Sequence, residues 1–161
     1  MNRNFYERTI SMHPIPEGFQ SVIPTIHVEG AAKAIELYKN AFEAQEKHRL
    51  NCPLTGRIVH ACLRIGNSNI FIADASEQMN CAASKDIKFY LYVPNADKAI
   101  ERAKKAGLSE TMPATDMFWG DRMGAVTDKY GFKWSIAHHV KDVSQEDMEA
   151  GMRKWIESMA A

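Results

Sequence analysis

Two stretches of this chain repeat each other. VEGAAKAIELYKNA (Val28 to Ala41) and VPNADKAIERAKKA (Val93 to Ala106) align without a gap at an offset of about 65 residues. A leading valine, Ala-x-Lys-Ala-Ile-Glu, a later lysine and a final alanine all match. Two amphipathic helices resemble one another by chance, since Ala, Lys and Glu all favour helix. Chance does not also place a strand-like valine before each copy and three strand-like runs after it. The repeat therefore predicts a duplicated β-α-β-β-β unit.

The rest of the chain fits two such units. In the first, Ser21 to Val28 reads as a strand and Gly30 to Phe42 as a helix with Ala31, Ala34, Ile35, Tyr38 and Phe42 on one face. Strand-like runs at Gln45 to Asn51, Arg57 to Ile65 and Asn69 to Ala75 follow, with turns at Pro53 to Gly56 and Gly66 to Ser68. A polar stretch, Ser76 to Asp86, links to the second unit. There Ile87 to Val93 reads as a strand, and Asn95 to Ala106 as a helix capped by Asn95 and ended by Gly107. Strands around Glu110, at Arg122 to Thr127 and at Phe132 to His138 complete it, the last two joined by the turn Asp-Lys-Tyr-Gly. The expected organisation is an N-terminal arm over residues 1–20, broken by Pro14, Pro16 and Gly18, and a domain over 21–142 whose modules span 21–76 and 86–142. A C-terminal helix over 143–161 follows. Its stripe of Met148, Met152, Trp155 and Met159 suits packing on the parent domain or a subunit contact.

Charge narrows the function classes. The chain has 20 basic and 20 acidic side chains, dispersed along it, so no bulk field draws it to nucleic acid or to an anionic membrane. No apolar run reaches the roughly 18 residues of a membrane span, and the first residues lack the apolar core of a signal peptide. Three cysteines, Cys52, Cys62 and Cys81, lack metal-knuckle spacing and suit free thiols. A cytoplasmic protein is expected.

The phrases AIELYKNAF, GRIVHACLRIG and FWGDRMGAVTDKYGFKWSIAHHV resemble the vicinal oxygen chelate superfamily, and within it the PhnB-like, glyoxalase and bleomycin-resistance branch. The resemblance spans about Val22 to Asp142. It implies an α+β fold in which two tandem βαβββ modules form a curled, eight-stranded mixed sheet around a cleft, with helices outside, and usually a homodimer. Metalloenzymes of the family carry one ligand on each of four strands. Those positions fall here on Ile23, Cys62, Lys88 and Ser135, and three of the four lack any ligand chemistry. The expectation is no conventional metal and no other cofactor, an atypical divalent ion being the remaining option.

Strand alternation gives a cleft lining of Ile23, Thr25, His27, His60, Cys62, Arg64, Lys88, Tyr90, Tyr92, Lys133, Ser135 and Ala137. His60 is the best acid/base candidate, because imidazole titrates near neutrality. A histidine satisfied by a polar neighbour is the plainer alternative, as a buried inert thiol is for Cys62. His27 and His60 could pair on a metal. His138 and His139 point to opposite faces and cannot share one. Trp119 suits stacking on a flat ligand and Arg122 a ligand carboxylate or phosphate, unless Asp121 and Arg122 neutralise each other. Thr25, His27, Cys62, Lys88, Tyr90, Trp119, Arg122 and Ser135 are therefore the candidate ligand-binding set. The leading expectation is a dimeric protein binding a small organic molecule in its cleft. A lyase or isomerase using His60 or an atypical metal is one alternative, and an antibiotic-sequestering resistance protein of the bleomycin-binding type is another.

Overall fold

The computed structural model describes residues 14–160, so most of the expected N-terminal arm lies outside the described residues. The first module consists of β1 (Thr25–Val28), α1 (Ala31–Phe42), β2 (Gln45–Asn51), β3 (Ile58–Ile65) and β4 (Ser68–Asp74). The second consists of β5 (Lys88–Tyr92), α2 (Ala96–Ala106), β6 (Ser109–Asp116), β7 (Asp121–Thr127) and β8 (Lys133–His139), and α3 (Gln145–Ala160) follows it. The eight strands form two four-stranded mixed sheets, ordered β1-β4-β3-β2 and β5-β8-β7-β6. In each sheet the first strand runs parallel to the last, and the other pairs are antiparallel. The order and sense of pairing recur in both modules, as the repeat predicts.

The repeated phrase forms helix for local reasons. Gly30 precedes α1 at φ 79°, a left-handed conformation that suits glycine. Asn95 caps α2 by accepting from the Lys98 amide at 2.9 Å, and Gly107 ends it at φ 107°. The apolar stripes of both helices face inward: Ala31, Ala34, Ile35 and Tyr38 from α1, Ala96, Ala99, Ile100 and Ala103 from α2. The helices pack on each other as well as on their sheets. One apolar cluster consequently runs through both modules, from Ile26 and Ile72 to Trp134 and Ile136. Burying each such side chain stabilises the fold by about 1.5–3 kcal/mol.

Asp128 ties the modules together. It is 5 % exposed, and its carboxylate accepts from the Tyr38 hydroxyl of α1 (2.9 Å) and the Trp134 indole (3.0 Å). The amides of Tyr130 and Phe132 also donate to it, at 2.9 and 3.0 Å. The Asp-x-x-Gly-x-x-Trp phrase is thus a turn whose first residue binds its own hairpin and the opposite module.

Three elements depart from expectation. The first strand starts at Thr25 rather than Ser21, because Pro24 has no amide proton to extend the ladder and Val22 is 84 % exposed. The run around Glu110 is an eight-residue edge strand containing Pro113, irregular in register on both sides of Met112. The C-terminal helix has no fully buried residue, and Met152, Trp155 and Met159 of its stripe stay exposed while Met148 is half-buried. Its anchor is Phe118, which packs against the bare Cα of Gly151 and lies 6.3 Å from the Trp155 ring.

Candidate functional site

Each sheet has a helix-covered face and an open face. In the second module, Phe89 of β5 stacks on Trp134 beneath the helices, leaving Tyr90 and Tyr92 on the open side at 47 % and 60 % exposure. Both phenol hydroxyls donate to Asp121 Oδ2 at 2.8 Å. Asp121 opens β7 opposite His139 of β8, and the His139 ring pairs through Nδ1 with Asp121 Oδ1 at 3.0 Å. The other nitrogen, Nε2, pairs with Asp142 Oδ1 at 2.9 Å.

Asp121 is 3 % exposed, and burial alone would push its carboxyl up; the bonds from His139, Tyr92 and Tyr90 outweigh that and hold it below the usual carboxylate range. The His139 imidazole is pushed up, first by its bond to Asp121 and then by Asp142. Burial and the bond to Asp121 raise the Tyr90 phenol far above its usual range, against an opposing pull from the neighbouring Trp119 indole. Trp119 and Tyr90 are therefore brought together, with Ser135 paired opposite Tyr90 in the parallel ladder and Lys88 two register positions away, opposite Lys133.

Arg122 is placed elsewhere. Alternation turns it to the other face of β7, where Nε and Nη2 each donate to Asp97 of α2 at 2.8 Å and Nη1 donates to Asp116 at 3.0 Å. The alternative of an Asp121–Arg122 pair does not form either, since consecutive strand residues face opposite ways. Arg122 instead clamps α2 and β6 to β7.

The first module presents a different surface. His60 of β3 meets His48 of β2, with Nε2 to Nε2 at 3.0 Å and ring centroids 5.0 Å apart. Phe71 of β4 sets its ring edge-on to His60 at 4.6 Å, and Phe19 from the arm follows at 6.3 Å from Phe71. Burial lowers the His60 pKa, and repulsion from His48 lowers it further. The partner of His60 is thus His48, not His27, which lines a separate cavity with Cys52 and Arg57 and whose amide bonds Ser84. Cys62 lies opposite His48 in the ladder but is fully buried, and burial pushes its thiol up, away from the reactive thiolate. Thr25 lies exposed opposite Phe71.

Two cavities bear on binding. The roomier, about 620 Å³, sits at His27, Cys52, Arg57 and Met79, away from both clusters. The other, about 500 Å³, lies where the β3–β4 hairpin of the first module meets β5, and Tyr90 and Tyr92 line it. We take the smaller as the candidate site, because it adjoins the convergent polar groups. The four positions at which the resembled metalloenzymes hold their ion do not fit one. They offer a hydrocarbon (Ile23), a buried thiol (Cys62), an exposed ammonium (Lys88) and a hydroxyl (Ser135).

Comparison with known proteins agrees with this architecture. An uncharacterized protein of Mycobacterium tuberculosis is 32 % identical over 137 residues, covering 80 % of each chain. The crystal structure of TioX from Micromonospora sp. ML1 superposes with a TM-score of 0.60 at 21 % identity, covering 78 % of this chain and all of that one. A putative 3-demethylubiquinone-9 3-methyltransferase, PhnB protein, from Bacillus cereus does so at 0.58 and 17 %, over 74 % of this chain and 99 % of its own. At such identities the two structures share the fold, and they carry no more than that. The family model of the glyoxalase/bleomycin resistance protein/dioxygenase superfamily matches residues 2–136. The chain belongs to that superfamily.

Proposed function

We propose that this protein is a homodimer that binds a small organic molecule on the open sheet faces, with the Tyr90–Tyr92–Asp121–His139 cluster as its polar anchor. One observation carries the reading: a buried carboxylate holds two exposed phenols by their hydroxyl protons. With their protons committed to Asp121, the phenol oxygens face a ligand as acceptors. The ligand class this favours has a flat apolar body, to lie on Tyr90, Tyr92 and Trp119, and at least one N–H or O–H donor. A dimer suits α3, whose Met152, Trp155, Ile156 and Met159 are 41–62 % exposed.

The test is a thermal-shift screen of small aromatic amines and phenols, together with their donor-free methylated analogues, against the wild type, Tyr92→Phe and Asp121→Asn. Binding to the native state raises its melting temperature. Hits that stabilise the wild type and not the variants support the proposal. Hits that stabilise all three equally overturn it, as does a screen in which only donor-free compounds bind.

A further inference from the structure

We propose that His48 and His60 form a two-imidazole site for a borderline-soft transition-metal ion such as Cu²⁺, Ni²⁺ or Zn²⁺, separate from the four positions used by metalloenzymes of the fold. The two Nε2 atoms face each other at 3.0 Å. Two nitrogens bound to one such ion, each about 2.0–2.1 Å from it and at right-angled to tetrahedral spacing, lie about 2.8–3.4 Å apart. The pair therefore sits at chelating separation without backbone movement.

The scaffold fixes that separation. His48 and His60 project from adjacent antiparallel strands, where His48 opposes Cys62 and Leu50 opposes His60, so the imidazoles are diagonal neighbours across the ladder. The edge-on Phe71 ring bounds His60 on one side. His48 is exposed and leaves the outward side open to an entering ion. In the metal-free pair one Nε2–H donates to the other nitrogen. When an ion binds, the donor ring shifts its proton to Nδ1, both Nε2 lone pairs turn to the metal, and no net proton is released. Imidazole ligands select copper, nickel and zinc over magnesium and calcium, which prefer oxygen. Among the described residues, no group of three or more His, Cys, Asp or Glu side chains is arranged to hold a metal. The remaining coordination positions would go to water or to an oxygen or nitrogen of a small molecule on the open face.

Calorimetry with CuCl₂ and ZnCl₂, and electron paramagnetic resonance of the copper-loaded protein, test this on the full chain. The wild type should take up one ion per chain with two equatorial nitrogens in the copper spectrum. His48→Gln and His60→Gln should each lose that uptake while keeping the wild-type metal-free melting temperature. His27→Gln and His139→Gln should retain it. Uptake that persists in His48→Gln and His60→Gln, or that disappears in His27→Gln or His139→Gln, would assign any ion to other groups and overturn the site. Absence of uptake by the wild type, with MgCl₂ as the comparison, would overturn it equally and leave the 3.0 Å contact as a hydrogen bond alone.

Discussion

Asp128→Ala should be among the most damaging single substitutions in this chain. The carboxylate is 5 % exposed and accepts four hydrogen bonds, two from side chains that are each 1 % exposed, Tyr38 and Trp134. A hydrogen bond to a charged group contributes about 1.5–3 kcal/mol net, and each buried donor left unpaired costs about 1–3 kcal/mol. These terms do not add, because the four donors share one acceptor. Removing a partner from a buried charged network costs about 3–5 kcal/mol, which is the expected loss. A domain of this kind is stable by only about 5–15 kcal/mol in all, so the effect is large. Tyr38→Phe is milder: it removes one donor without leaving a cavity, and Asp128 keeps three others, giving about 1.5–3 kcal/mol. The assay is equilibrium urea unfolding followed by circular dichroism, on the two single variants and the double. If the 2.9 Å bond joins α1 to the second hairpin, Tyr38→Phe should do little harm once Asp128 is gone, with a coupling energy of about 0.5–3 kcal/mol. A loss under about 1 kcal/mol for Asp128→Ala would refute the network's structural role. So would equal effects of Tyr38→Phe in both backgrounds.

Further outcomes follow from the clusters on the sheets. The His139 imidazole, bonded to Asp121 and Asp142, should titrate above the ordinary histidine value by nuclear magnetic resonance, and Asp142→Asn should bring it down. Because the folded value is raised, the stability it contributes is complete below about pH 6.5 and disappears as pH rises through the folded value. His139→Gln should flatten that part of the stability profile. Arg122→Ala should lower the melting temperature, more at low salt than at high, and leave ligand affinity at the Asp121 cluster unchanged, since its three bonds go to Asp97 and Asp116. Gly151→Ala tests how α3 is held: alanine favours helix by about 0.5–1 kcal/mol, but a Cβ there would lie 2.7 Å from Phe118 Cβ. A lowered melting temperature means the helix is docked on Phe118; a raised one means it is not. Sedimentation should give twice the chain mass, and truncation after Asp142 should weaken the dimer; a monomeric full-length chain would end that reading.

The fold was legible because its determinants are local and repeated. The Ala-x-Lys-Ala-Ile-Glu stripe, the Asn95 cap and the glycines at 30 and 107 each specify helix limits, and the pattern of runs between them gives the strands. Of the candidate site, Tyr90 and Tyr92 were legible as cleft lining from strand alternation, and Trp119 separately as a stacking surface. Asp121 and His139 were not assigned to it, because alternation says that Asp121 and Arg122 face opposite ways without saying which faces the open side. The sheet's pairing decides that, by setting Asp121 against His139 and Arg122 against His138. His48 was missed for a sharper reason. A register shift between Glu46 and His48 breaks the two-residue period of β2, so counting along the strand no longer tells which side chains share a face with His60.

The two buried aspartates that open β7 and directly follow it, Asp121 and Asp128, differ in what their hydrogen bonds hold. Asp121 and Asp128 are nearly equally buried, and each accepts from a phenol hydroxyl. Burial and hydrogen bonding therefore do not distinguish them. Their donors do. Tyr38 and Trp134, which serve Asp128, lie wholly within the core, so the whole network is spent on joining the modules. Tyr90, Tyr92 and His139, which serve Asp121, stand on the open face with their rings in solvent. A fold gains little from fixing exposed aromatic rings by a carboxylate that had to be desolvated to do so. An arrangement that holds rings and acceptor oxygens ready, before any partner arrives, lowers the ordering cost of binding. That asymmetry supports the proposal that the phenols held by Asp121 meet a ligand, and it gives Asp128 its structural connection.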